Sequence, residues 1–359
     1  VITDLVVSDV VISETAVENT TVGSLIANGA INAVYSYQIM DDSTGGAFTI
    51  VGDKLVVRDS LLLDYETTSS ATLTIRATDT FGNSYDKIVN LTLTNEVNES
   101  RYSGGAEQLA DSVITGNQQL SSLAALSDGR YILVWSDGSA VGADASGYGI
   151  KGQIIAANGA KIGAEFLINT ATLNNQDNPV ASGLPSGGFV VTWADASLTG
   201  GDASVSSIKA QLYNAAGVAV GGEILVNTAT LNAQKMPSVA SLSDGGFVIT
   251  WNDSSLQGGD SSASSVKAQI FDANGNRVGS EFLVNTITTN IQDTPVVASL
   301  QNGGFVISWH DGSLLGGDSS KDSVKAQVFS ANGVKVGGEF LVNTETNGNQ
   351  QQQAIVGLS

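Results

Sequence analysis

Apolar and polar residues alternate at period two along most of the chain, and Gly, Asn and Asp interrupt the alternation at short intervals. Period two sends successive side chains to opposite faces of a strand, so the pattern predicts β-structure throughout. Residues 1–100 carry it as Leu5-Val6-Val7, Thr21-Val22-Gly23-Ser24-Leu25, Tyr35-Ser36-Tyr37, Phe48-Thr49-Ile50, Lys54-Leu55-Val56-Val57, Leu73-Thr74-Ile75-Arg76-Ala77 and Ile88-Val89-Asn90-Leu91-Thr92-Leu93. About seven short strands separated by turn residues predict a β-sandwich.

Residues 101–359 obey a second rule, a repeat of 58 residues. Trp135, Trp193, Trp251 and Trp309 keep that step and are the only tryptophans; Gln153, Gln211, Gln269 and Gln327 keep it too. In the copy from Glu281 to Gly338, four strands are predicted: Phe282-Leu283-Val284 (A), Pro295 to Leu300 (B), Gly304 to Trp309 (C) and Val324 to Phe329 (D). Asn302-Gly303 and Asn332-Gly333 are hairpin signals, so the unit reads as a four-stranded antiparallel meander. A radial array of such meanders is a β-propeller. Phe305, Ile307 and Trp309 share one face of C, which makes each tryptophan an inter-blade packing residue, with a functional aromatic as the competing reading.

The copy number is uneven. Strands C and D occur four times, while A begins five times, at Glu107, Glu165, Glu223, Glu281 and Glu339. The glutamine near B also occurs five times, at Gln118, Gln176, Gln234, Gln292 and Gln350. Three explanations stay open: a piece of a protein with more blades, one blade completed by both chain ends, or an open half-unit that pairs with another chain. Because the chain opens on Val1 without a signal peptide, a processed or excised piece is expected.

Both blocks resemble known families. Ile12-Ser13-Glu14 followed by Val17 to Gly23, then Leu63-Asp64-Tyr65-Glu66, Arg76-Ala77-Thr78-Asp79 and Glu96-Val97-Asn98-Glu99, resemble in their order the motifs of bacterial cadherin-like repeats. That resemblance implies a calcium cluster of Glu14, Asp64, Glu66, Glu96, Asn98 and Glu99. Ala77 and Glu96 depart from the family pattern, each standing where an Asp is usual. The second block, with Val284-Asn285-Thr286, Gly303-Gly304-Phe305-Val306 and Ala326-Gln327-Val328-Phe329, resembles repeats of large type I-secreted (RTX-type) bacterial surface adhesins.

Charge sharpens the expectation. Thirty-five acids against 15 bases give a net charge of −20, which disfavours nucleic acid and anionic membranes and suits hard cations. No apolar run is long enough to span a bilayer. Absence of cysteine excludes thiol catalysis and zinc–thiolate sites, without excluding export. In every repeat an Asp follows the tryptophan by two residues (Asp137, Asp195, Asp253, Asp311), and another follows seven later (Asp144, Asp202, Asp260, Asp318), usually after Gly-Gly. Converging carboxylates and turn glycines suit Ca2+, but Asp and Gly are also the ordinary residues of long turns. Asp272-Ala273-Asn274-Gly275-Asn276 opens like an EF-hand loop, lacks the distal Glu, and is read as a hairpin turn.

His310, the single histidine, falls where the other copies hold Ser136, Ala194 and Asn252, and it does not read as a general base. No nucleophile elbow, phosphate loop or zinc motif occurs. The expectation is an all-β protein: a cadherin-like β-sandwich plus a β-propeller-like array of four-stranded antiparallel meanders. Its expected role is a non-enzymatic, calcium-stiffened adhesive segment of a secreted or cell-surface bacterial protein. Its expected partners are other copies or modules of that protein, and glycans. A lectin-like propeller, a filament subunit and a polysaccharide-acting enzyme are the competing readings.

Overall fold

The computed structural model describes residues 1–29, 33–63, 65, 68–95, 109–142, 144 and 146–357. The chain divides into two compact units, Val1–Glu107 and Gln108–Ser359. In the first, β1 (Asp4–Val7), β3 (Thr21–Asn28), β6 (Lys54–Val57) and β5 (Phe48–Val51) form one sheet in that order. β2 (Val11–Ser13), β8 (Ser84–Thr94), β7 (Ser70–Asp79) and β4 (Tyr35–Asp42) form the other. β2 joins β8 in parallel; the other pairings are antiparallel. Alternation decides the core: Leu73, Ile75 and Ala77 point inward from β7 and meet Leu5, Leu25, Leu55 and Phe48 of the opposite sheet.

The second unit holds four sheets of four strands, each an antiparallel meander in chain order. Blade 1 is β9 (Gln118–Ala125), β10 (Tyr131–Asp137), β11 (Gly149–Ile155) and β12 (Lys161–Leu167). Blade 2 is β13 (Gln176–Gly183), β14 (Phe189–Asp195), β15 (Ser207–Tyr213) and β16 (Ala219–Leu225). Blade 3 is β17 (Gln234–Ser241), β18 (Phe247–Asp253), β19 (Ser265–Phe271) and β20 (Arg277–Leu283). Blade 4 is β21 (Gln292–Ser299), β22 (Phe305–Asp311), β23 (Ser323–Phe329) and β24 (Lys335–Leu341). A blade therefore runs B–C–D–A, not A–B–C–D. The Asn-Gly turn after strand D folds the next strand A back onto the same sheet, as Phe329↔Lys335 pairing shows.

Neighbouring blades meet through their inner strands: Ala181 N donates to Ser122 Oγ (3.2 Å), Ser241 N to Ser182 Oγ (3.1 Å) and Val297 N to Ser238 Oγ (3.2 Å). Strand C is the buried centre of each blade. Trp309, Phe305 and Ile307 lie sealed against Val248, Val266, Ala268 and Val284 of blade 3, so the tryptophan is an inter-blade packing residue. Cross-strand aromatic pairs brace the same layer: Phe247–Phe271 and Phe305–Phe329 stack with ring centroids 5.0 and 5.1 Å apart. The architecture is all-β and propeller-like, built of four-stranded antiparallel meanders. Asp272 N donates to Asn276 O at 2.9 Å and closes the β19–β20 hairpin, so that stretch is a turn.

Candidate functional site

Most of the recurring polar residues are used by the scaffold itself. Strand register places Trp251 opposite Lys267, with Asp253 two residues on and therefore on the same face. Lys267 Nζ lies 3.0 Å from Asp253 Oδ2 and 3.1 Å from Glu281 Oε1. Lys151 is 2.8 Å from both Asp137 and Glu165; Lys325 is 2.8 Å from Asp311 and 3.5 Å from Glu339; Lys209 stands off at 3.9 Å from Asp195 and 3.8 Å from Glu223. The Gly-Gly of the C–D loop makes room for the ammonium: Gly258 has φ +75°, and a Cβ there would meet Lys267 Nζ at 3.1 Å. Burial pushes the Asp137 carboxyl upward, but hydrogen bonds from Lys151, Ser139 and Gln118 outweigh it and hold the group below its ordinary value. Burial likewise works against the Lys151 ammonium, and Asp137 and Glu165 more than compensate, leaving it raised.

The second loop aspartate enters a different network. Asp202 Oδ2 accepts from Asn227 Nδ2 (2.9 Å), Asn227 Nδ2 also reaches Gln234 Oε1 (3.3 Å), and Gln234 Nε2 donates to Asp253 Oδ1 (3.2 Å). This chain crosses from the C–D loop of blade 2 to strand C of blade 3. Asp144–Asn169–Gln176–Asp195 and Asp260–Asn285–Gln292–Asp311 repeat it. Asp318 pairs with Asn343 at 3.3 Å.

Thus Asp137, Asp195, Asp253 and Asp311 face lysines, while Asp144, Asp202, Asp260 and Asp318 face asparagines. Among the described residues no three acidic or histidine side chains gather as a metal-binding group. In the first unit Glu14 is buried and accepts from Tyr65 N at 2.8 Å. Asp64, Glu66, Glu96, Asn98 and Glu99 lie outside the described residues. No helix among the described residues is long and apolar enough to cross a membrane.

What remains is the propeller axis. The inner strands surround a cavity of about 510 Å³, lined in part by Leu120, Asn178, Met236, Thr294 and Gln352, one from each successive copy. All five have positive φ, at 52°, 53°, 51°, 46° and 62°. For Thr294, β-branched, this is a strongly disfavoured backbone. The register slips at the same place in β13, β17 and β21, and prolines 179, 237 and 295 follow, where a missing N–H costs no ladder bond. Backbone strain and bulges occur at functional sites, so this ring is a place from which a functional reading can start.

The residue before each strained position breaks the repeat: Gln119, Asp177, Lys235, Asp293 and Gln351. The two carboxylates among them each bond to a cavity-lining side chain. Asp177 Oδ1 accepts from Asn178 Nδ2 at 2.8 Å, and Asp293 Oδ1 from Thr294 Oγ1 at 3.3 Å. Asp293 Oδ1 also lies 2.7 Å from His310 Nδ1. His310 Nε2 is 3.2 Å from Asp322 Oδ2, within ion-pair range but not aligned for a hydrogen bond. The Asp293 hydrogen bond, opposed by burial, raises the His310 pKa above its ordinary value. Sequence reading passed over Asp177, Lys235 and Asp293 because it followed what the copies share. The available signal was the opposite one, a 58-residue column that varies in charge.

No family model matches the chain, and no curated protein matches it in sequence. Solved structures with similar architecture include the GH93 α-L-arabinofuranosidase of Fusarium graminearum in complex with arabinobiose, at 16% identity and TM-score 0.42, covering 63% of this chain and 66% of that one. A Dyadobacter fermentans protein of unknown function has 13% identity and TM-score 0.43, with 77% and 80% covered. A thermostable family-43 glycoside hydrolase has 9% identity and TM-score 0.41, with 80% and 94% covered. The chain thus spans just under two thirds of the Fusarium enzyme.

These findings correct the sequence-based expectation of kinship with cadherin-like domains and RTX-type adhesin repeats. The expected non-enzymatic, adhesive role is likewise corrected: those of these neighbours that have a named activity are glycoside hydrolases, an activity named for those proteins alone. The propeller-like repeat stands. In the second unit the phrases that carried the resemblance are residues that build blade interfaces, and such residues report architecture.

Proposed function

We propose that the second unit is a carbohydrate-active propeller whose saccharide seats at the axial mouth. The observation that carries this proposal is the pair Asp177 and Asp293, each bonded to a strained residue of the axial cavity in an otherwise repeated ring. Cleavage of a glycosidic bond needs two carboxyl groups, one donating a proton to the leaving oxygen and one acting as base or nucleophile. Asp293 already accepts from His310 and Thr294, an arrangement that suits an acceptor-only carboxylate, so it takes the base or nucleophile role. Asp177 then supplies the proton. Lys235, between them in the ring order, and the amides of Asn178 and Gln352 offer donors for sugar hydroxyls.

The experiment is reducing-sugar release and calorimetric binding across a panel of oligosaccharides and aryl glycosides. Arabinose-containing ones are included, since the Fusarium neighbour was solved with arabinobiose. Asp177→Asn and Asp293→Asn should each lower turnover by about 100-fold or more while the fold persists. Absence of both saturable binding and turnover across the panel contradicts the proposal.

A further inference from the structure

Asp293, His310 and Asp322 stand together in blade 4, beside the cavity-lining Thr294, and no other blade repeats the set. The same three places hold Asp177, Ala194 and Ser206 in blade 2, Lys235, Asn252 and Ser264 in blade 3, and Gln119, Ser136 and Tyr148 in blade 1. In blades 2 and 3 the third residue is a donor: Ser206 Oγ donates to Gln234 O at 2.9 Å and Ser264 Oγ to Gln292 O at 3.2 Å. Blade 4 puts a carboxylate there, which when ionised can only accept. Asp322 Oδ2 takes one hydrogen bond from Gln351 Nε2, at 2.9 Å, and faces His310 Nε2 at 3.2 Å.

Since His310 Nδ1 lies 2.7 Å from Asp293 Oδ1, carboxylates flank the ring at both nitrogens. They are the charged groups that face it, Asp293 from β21 and Asp322 from the C–D loop. Its cross-strand neighbour on β23 is Val324, while Lys325 and Asp311 turn to the opposite face and pair there at 2.8 Å. An imidazolium donates from both nitrogens; a neutral ring donates from one and presents a lone pair at the other. The short, aligned contact with Asp293 keeps the remaining proton on Nδ1, so the lone pair falls against Asp322. The ring is 13% exposed, which leaves water little room to replace the lost donor.

We propose that His310 is a proton-operated positioning residue for Asp293. Doubly protonated, it fixes the Asp293 carboxylate beside the axial cavity and ties it through Asp322 to the C–D loop. On losing a proton it releases Asp322, and the ring that orients Asp293 is left with a single anchor. The consequence for turnover rests on the saccharide reading of Asp293; the clamp itself does not.

Because His310 is the single histidine, the imidazole resonances of the whole chain, labelled at histidine, need no assignment. Their titration should have its midpoint above pH 6.5, with both ring nitrogens protonated below the midpoint and the proton kept on Nδ1 beyond it. Asp322→Asn should lower the midpoint by about one pH unit with Nδ1 still protonated. Asp322→Ser should do the same, and it installs the residue that blades 2 and 3 already hold there. A midpoint indifferent to both substitutions, or a neutral ring protonated on Nε2, overturns the clamp. On a saccharide that the wild type turns over, the alkaline limb of kcat should follow the imidazole midpoint and move down with it in Asp322→Asn; a limb that stays in place overturns the positioning role. A wild type without turnover contradicts the saccharide reading, while the imidazole titration still decides the clamp.

Discussion

Lys267 Nζ lies 3.0 Å from Asp253 Oδ2, and both side chains are sealed from solvent inside blade 3. Glu281, from the outer strand, completes the charge cluster and also accepts from Thr228 N at 2.5 Å, so one lysine ties three strands and a loop together. Removing a single partner of such a group leaves an uncompensated buried charge, which costs more than the pair contributes. Lys267→Met should therefore destabilise the propeller by ~3–5 kcal/mol. Chemical denaturation of the variant checks this; a loss below about 1 kcal/mol, the range of an exposed pair, contradicts it.

The same substitution should cost unequal amounts in different copies. Asn285 is buried and bonds Asp260 at 3.0 Å, whereas Asn343 is partly exposed and bonds Asp318 at 3.3 Å. Asn285→Ala leaves Asp260 Oδ2 and Gln292 Oε1 without their donor and should cost about 2–3 kcal/mol; Asn343→Ala should cost under about 1 kcal/mol, since water can replace its bonds. Paired melting curves for the two variants decide the point, and equal losses would be inconsistent with the blade-interface role.

The propeller interior accounts for much of what the sequence made legible. Period-two runs and Asn-Gly turns located strands B, C and D of the 58-residue unit and only the end of strand A, which begins at Arg277 rather than Glu281. Pairing between units was less legible: strand A looked like the start of a unit and is the outer edge of the preceding sheet. The loop aspartates were visible, but their partners were not. Whether a carboxylate faces a lysine, an asparagine or a cation depends on contacts 14–25 residues away, which periodicity does not encode. The pair Asp177 and Asp293, each next to a residue of the axial cavity, was hidden for another reason: it lies in a column where the copies disagree.

Acid and base should act on different clusters. The Asp137 and Glu165 carboxyls are held below their ordinary values, 3.8 and 4.5, so their stabilisation is complete above those values and fades as pH falls through the lowered folded ones. His310 is raised above 6.5, so its contribution is complete below 6.5 and fades as pH rises through its folded value. His310→Asn should flatten the stability profile above pH 6.5 and leave the acid limb unchanged. Denaturation midpoints across pH 3–9 read both limbs; an altered acid limb contradicts the assignment.

Calcium should act differently on the two units. In the blades a lysine already lies between the carboxylates, so a chelator should leave the propeller transition in place. A shift confined to the first unit's transition would attach the ion to the set that includes Glu14. Scanning calorimetry with Ca2+ and with excess chelator distinguishes these; a propeller transition raised several degrees by Ca2+ would contradict the lysine account.

A saccharide site at the axial mouth is tested most directly by comparing wild type, Asp177→Asn, Asp293→Asn and Asp144→Asn on the same oligosaccharide panel. Turnover is expected in the wild type, lost in the Asp177 and Asp293 variants, and retained in Asp144→Asn, whose carboxylate bonds Asn169 at a blade interface. Turnover that survives both axial substitutions, or a wild type that neither binds nor cleaves any member of the panel, would contradict it.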